Sequence, residues 1–254
     1  MAKKTVLQIV QDTLSSMGSD NVNDIAETPE ADEVADIVES VFWQIIQSKD
    51  WPHLRRVLRP TSEADAARPT HMRIQDDVQR IMHDTMYYNK VNTQGGDPDW
   101  SPVHYLELDQ FLRLVMQRSD SASSSEVQEV TDDAGFVFYV YNDRAPTYWT
   151  SVDDELLIFD SFDSDVDSVL QTNKAQVQAY VEPSFSKSNG HTPDLPSKIF
   201  PYFIAEVKST AALQIAQEPN AKQEQISQSF RAWTAREKWR TRRGIRNRNN
   251  FGRK

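Results

Sequence analysis

Apolar residues return every three or four positions near both ends of the chain and lose that rhythm in between. Val6, Ile9, Val10, Thr13, Leu14 and Met17 keep helical spacing, and Gly18 stands where a C-terminal cap belongs. After a polar loop over 19–27, Thr28 and Pro29 open a second helix. Thr28 serves as N-cap, and Pro29 takes the first helical position, where its missing N–H costs nothing. Glu30, Asp32 and Glu33 set negative charge at the positive end of the helix dipole. The stripe Val34, Ile37, Val38, Val41, Phe42 and Ile45 runs to a stop at Asp50-Trp51-Pro52. Near the other terminus, Pro196 follows Asp194 at an N-terminal helical position, and Ile199, Tyr202, Phe203, Val207 and Ala211 form the next stripe. Pro219 breaks it. A final helix runs from Ala221 to about Arg243, with Ile226, Phe230 and Trp233 on one face, and an extended tail follows Gly244.

The middle reads as strand and loop. His53 to Arg59 predicts a strand, Thr61 to Thr70 a loop, and Asp76–Met86 and Tyr105–Gln117 two short helices around a Gly95-Gly96-Asp97-Pro98 turn. Ser119 to Ser125 is a serine-rich loop. Strands are predicted at Phe136–Tyr141, Thr147–Thr150, Glu155–Phe159 and Val177–Val181, in a small mixed or antiparallel sheet, with a Pro/Ser/Gly/Asn loop from Ser184 to Leu195. The fold class that follows is α+β. A helical bundle forms from residues 1–52 and 195–243, a β-rich α/β insertion occupies 53–194, and a basic tail spans 244–254.

Composition narrows the chemistry. With 38% apolar and 26% charged residues among 254, the chain holds enough apolar material for a real core. The absence of cysteine excludes disulfides, thiolate zinc sites and a cysteine nucleophile. Apolar runs of a few residues predict no membrane span, and the Met1-Ala2-Lys3-Lys4 start predicts no secretory signal, so synthesis and folding in a cytoplasm are expected. Charge is split sharply. Arg231–Lys254 holds ten Lys/Arg against Glu237 alone, a net +9, which leaves −19 on the first 230 residues of a chain whose total is −10. A basic tail on an acidic body implies an anionic partner for the tail.

Two fragments invite metal-site readings. Asp163-Ser164-Asp165-Val166-Asp167 opens like a calcium loop, but the required glycine and glutamate positions hold Ser168 and Lys174. A solvated acidic turn is expected instead. Glu206-Val207-Lys208 with an upstream Asp160 resembles the carboxylate-x-lysine arrangement of a metal-dependent nuclease. On a strand the pair would share a face; on the helix that its flanks predict, the two side chains point about 200° apart and cannot share a metal. The histidines at 53, 71, 83, 104 and 191 have no zinc-ligand spacing, and no phosphate-binding glycine loop or nucleophile elbow is present, so no metal and no cofactor are expected. Aromatics among arginines, as at Trp233 and Trp239, can stack on bases or anchor a protein interface. The −19 body repels a nucleic acid approaching broadly, which favours the interface.

The order of elements carries a resemblance. Thr5 to Gly18, then Val22-Asn23-Asp24-Ile25, then a long helix ending Gln47-Ser48-Lys49-Asp50-Trp51, resembles the start of the tail tubular protein A family, the head-to-tail adaptors of short-tailed, T7-like bacteriophages. A later helix opening at Leu195-Pro196-Ser197-Lys198-Ile199-Phe200-Pro201-Tyr202-Phe203 is similar to that family's closing element. The likeness is residue by residue over 5–51 and looser over 195–240. The longer insertion and the strongly basic tail depart from the pattern.

The resemblance implies a structural virion protein without catalysis. It implies a homo-oligomeric ring of twelve copies beneath the portal protein, around the channel through which viral DNA is ejected, and a platform for the tail nozzle and tail fibres. A carboxylate-rich lumen would not hold a passing duplex. The basic end then becomes a docking peg for the portal or a neighbouring subunit. Trp233, Trp239 and Phe251 are its apolar anchors, and Arg240, Arg242, Arg243, Arg246, Arg248 and Arg253 are its partners for carboxylates.

Overall fold

Thr5 begins the first helix, α1 (Val6–Met17), with a capping box: its hydroxyl accepts the Gln8 N–H while the Gln8 side chain accepts the Thr5 N–H. Gly18 closes it at φ +81°, in the left-handed region that an L side chain enters at a cost of about 1–2 kcal/mol. The second helix, α2 (Pro29–Gln47), starts as its sequence predicts, with the Thr28 hydroxyl accepting the Ala31 N–H at 3.1 Å. Thr28→Ala is expected to cost about 1 kcal/mol, read as a lower urea midpoint with an unchanged denaturant slope. After α2, the Trp51 indole N–H donates to the Ile45 carbonyl at 3.0 Å and the Lys49 ammonium lies 3.9 Å from its ring centroid.

A computed structural model of the chain describes residues 3–91, 96–121, 124–131, 135–153, 155–217, 221–229 and 232. The fold is mixed α+β and divides into two compact units, Met1–His53 with Pro183–Lys254, and Leu54–Glu182. In the first unit, α1, α2 and a later helix, α4 (Phe200–Gln214), pack against one another. Their buried faces include Ile9, Val10 and Leu14 of α1, Val34, Val38 and Phe42 of α2, and Phe203, Val207 and Ala211 of α4. Pro196 does not open α4; it precedes a turn closed by the Ile199 N–H on the Pro196 carbonyl, and Pro201 occupies the first helical turn instead. A fifth helix, α5, is described over 221–229, and Ser227 of α5 donates to the Glu206 carboxylate of α4.

The loop before α4 belongs with these helices, which corrects its assignment to the insertion. Phe185 packs 5.0 Å from Phe42, Lys187 pairs with Asp32 and Asp36, and Asn189 accepts the Ile25 N–H and donates to Asp24. The His191 carbonyl accepts the Val6 N–H at 2.8 Å, one of the unpaired donors at the start of α1. Groups more than 140 positions apart in sequence carry these contacts, so no local pattern reports them.

The second unit is built from short strands. β1 (Arg55–Leu58), β4 (Val78–Ile81), β5 (Tyr87–Asn89), β6 (Trp100–Pro102) and β12 (Ala175–Val181) form one sheet around β12. β2 (Thr61–Ser62), β3 (His71–Arg73), β7 (His104–Tyr105), β10 (Tyr148–Ser151) and β11 (Leu156–Phe159) form a second, antiparallel except for the β7–β10 pair. β8 (Val127–Thr131) and β9 (Val137–Tyr141) make a hairpin. One helix, α3 (Leu108–Met116), lays Phe111 and Val115 on the core around Trp149, Phe159 and Val177.

Four sequence expectations fail here. Thr61 and Ser62, expected in a loop, form β2 and pair with β3. Asp76–Met86 is not helical: Val78–Ile81 pairs with β12, and His83–Thr85 is a single 3-10 turn. Val78, Ile81 and Met82 do have helical spacing, but pairing with a strand a hundred residues later decides the outcome. Tyr105 lies in β7, so the helix expected from Tyr105 begins at Leu108. His53 lies before the strand expected from it, because Pro52–Leu54 is a 3-10 turn and β1 begins at Arg55.

Candidate functional site

The proposed docking residues Trp233, Trp239, Arg240, Arg242, Arg243, Arg246, Arg248, Phe251 and Arg253 lie outside the described residues, as does the tail over 244–254. The other fragments can be placed. Glu206 and Lys208 both sit within α4, two positions apart on a helix, so they diverge by about 200° and cannot close on one metal. Asp160 belongs to the other unit and is fully engaged there. The Asp163 segment is a turn: its backbone carbonyl accepts the Val166 and Asp167 N–H groups, and Asp167 pairs with Lys174. Among the described residues no group of three or more His, Asp or Glu is gathered to hold a metal ion. No described helix is long and apolar enough to cross a membrane.

Two ion pairs that sequence reasoning did not bring together lie in the β-rich unit, Arg118–Asp160 and Lys174–Asp167. Arg118, from the turn after α3, donates to the Asp160 carboxylate at 2.9 Å and to the Asp160 carbonyl at 2.6 Å. The same carboxylate accepts the Thr147 and Tyr148 N–H groups at 2.9 and 2.8 Å. The Tyr141 ring lies between two guanidinium groups, Arg118 at 4.2 Å and Arg144 at 4.0 Å from its centroid. The outer arginine is paired with Asp143, and that contact holds the Asp143 carboxyl below the ordinary carboxylate range. Lys174, only 2% exposed along its side chain, meets Asp167 beside a cavity of about 10 Å³, room for a single water. Tyr88 lines the same cavity, and burial pushes its phenol well above the usual value. These groups tie loops to strands.

The exposed chemistry lies on the sheet around β12. Ala175, Val177, Ala179 and Val181 point into the core, so Gln176, Gln178 and Tyr180 take the other face. Register places Arg55 and Arg80 on either side of Tyr180, Val57 beside Gln178, and Tyr87 beside Gln176. Val57 is 63% exposed and Tyr87 38% exposed, and Arg55, Arg56, Arg59 and Arg80 are all exposed. No carboxylate stands at these outward positions of β1, β12, β4 and β5. The signal was in the sequence as Arg55-Arg56-Val57-Leu58-Arg59, three basic residues in five, but only strand pairing shows that Arg55 and Val57 share the outward face and Arg56 does not.

In the helical unit His53 faces the Asp194 carbonyl at 3.1 Å, and burial lowers its pKa below the ordinary imidazole value. The unfolded chain therefore takes up this proton first. The contribution of His53 to stability is present above about pH 6.5 and falls as pH drops below it. Urea midpoints between pH 7.5 and 5 should fall less for His53→Gln than for the wild type.

No protein-family model matches this chain, and no curated protein matches it.

Proposed function

We propose that the chain is a head-to-tail adaptor of a short-tailed bacteriophage, a structural virion protein whose copies form a ring joining the portal to the tail nozzle and fibres around the DNA channel. The observation that carries this reading is the interrupted helical unit. Helices from the two ends of the chain share one compact unit, and a β-rich unit is inserted between them. That order of elements is the one the resemblance implies, and the local signatures over 5–51 belong to its first two helices. In this reading the helices form the bundle at the core of the adaptor, and the +9 segment from Arg231 to Lys254 is the peg that meets carboxylates of the portal or a neighbouring subunit.

Electron microscopy of the purified chain mixed with the portal protein of the same virion tests the reading. A ring seated on the portal is expected. Deleting 245–254 is expected to abolish that attachment while circular dichroism and thermal melting stay unchanged. Portal attachment at wild-type strength by the truncated chain would overturn the peg, and the absence of any ring on the portal would overturn the adaptor. A nuclease would instead cleave DNA with magnesium and lose activity in Glu206→Ala or Lys208→Ala. A nucleic-acid-binding module would bind DNA with an affinity that falls steeply with salt.

A further inference from the structure

The chain is acidic in sum, and the β-rich unit holds 23 Asp/Glu against 11 Lys/Arg over 54–182, but one outward sheet face on it is basic. On the β-rich unit, β1 ends its sheet, and Arg55 and an uncovered Val57 stand on its outward face with an exposed Arg59 just beyond; Arg56, opposite Ala179, takes the other face. Tyr180 on β12 and Arg80 on β4 continue the same outward face one and two strands away. On the helical unit the acidic stretch is local: residues 1–53 hold ten Asp/Glu against three Lys, whereas 183–254 hold five against fourteen Lys/Arg. Six of the ten, Asp20, Asp24, Glu27, Asp32, Glu33 and Asp36, are exposed along the loop before α2 and its first two turns.

We propose that the exposed β1–β12–β4 face is a docking surface for a second copy of this chain, receiving the acidic entry of that copy's α2. The chemistry favours a protein over a nucleic acid here. Tyrosine and arginine around an exposed aliphatic residue is the composition of an interface hot spot, and Val57 has nothing to gain from a phosphate. Paired arginines on an edge strand also oppose pairing with an identical strand, because like charges would meet, while they accept an acidic surface. The two patches differ, so the contact is heterologous: each copy offers its basic face to one neighbour and its acidic face to the other. Such contacts propagate, and they close when the rotation per copy divides a full turn. The inference deepens the ring reading and rests on it for closure.

Charge exchange tests it. Arg55→Glu with Arg80→Glu in one chain, and Asp20→Lys with Glu33→Lys in another, change exposed side chains, and circular dichroism checks that each full-length variant folds. Sedimentation at low salt should show oligomers for the wild type, dispersed by high salt. Each variant alone should associate at least about tenfold more weakly, since like charges now face each other across the contact. An equimolar mixture of the two should recover the wild-type oligomers, because every contact then joins opposite charges. Variants that assemble like the wild type, or a mixture that stays dissociated, would overturn this surface. Loss of binding to a single-stranded oligonucleotide in the arginine variant, with self-association intact, would also overturn it. These results are independent of the ring on the portal: an assembled ring indifferent to charge exchange removes the surface and leaves the adaptor, whereas no ring on the portal removes the adaptor itself.

Discussion

Asp160→Asn should lower the stability of the β-rich unit by about 3–5 kcal/mol, the range for breaking one partner of a buried ion pair. The side chains of Arg118 and Asp160 are 9% and 5% exposed, so a guanidinium left behind has little water to replace its partner. The pair also closes three separate stretches of chain: the turn after α3, the strand entry at Thr147 and Tyr148, and the end of β11. A double replacement, Arg118→Met with Asp160→Leu, should not restore stability. It removes both charges but leaves the Thr147 and Tyr148 N–H groups without their acceptor, and a buried donor without a partner carries its own penalty. Hydrogen exchange should show faster opening of β10 and β11 in both variants, with α1 and α2 unchanged. If the double variant matched the wild type, the backbone share of this network would be negligible.

Phe42→Ala is the corresponding test in the helical unit, with an expected loss of about 3–5 kcal/mol for deleting a fully buried aromatic ring. Phe42 is 0% exposed, contacts Trp43 edge-on at 5.2 Å, and packs on Phe185 at 5.0 Å. The loss combines the removed apolar surface with the cavity that rigid neighbours cannot fill. Because Phe185 comes from the loop before α4, the variant should also loosen that loop. Faster exchange at the Val6 N–H, bonded to the His191 carbonyl, is the specific readout. Phe185→Ala should reproduce part of the effect.

Both helices of the first 51 residues were legible because their signals are local. Thr5 and Gly18 cap α1, Thr28 and Pro29 open α2, and each apolar stripe falls on the buried face. The β-rich unit was legible only in part. Phe136–Tyr141 and Glu155–Phe159 stand out by composition, and the alternation over Val177–Val181 extends back to Ala175. β3, β5, β6 and β7 are two or three residues long, too short for any period to register. The calcium and nuclease fragments could be weighed from spacing alone. The buried Arg118–Asp160 pair could not, since 42 residues separate its members.

The sequence by itself determined where the N-terminal helices begin and end, that the middle of the chain is strand-rich, and that charge is divided between an acidic body and a basic end. These properties depend on residues within a few positions of one another. Only the tertiary structure decided that 78–81 is a strand, that the loop over 183–194 joins the helices, and that Arg55, Tyr180 and Arg80 stand in one row. The physical reason is the same in each case. A backbone that can satisfy its hydrogen bonds in more than one way takes the arrangement that its distant partners stabilise, and those partners lie 98 residues or more along the chain.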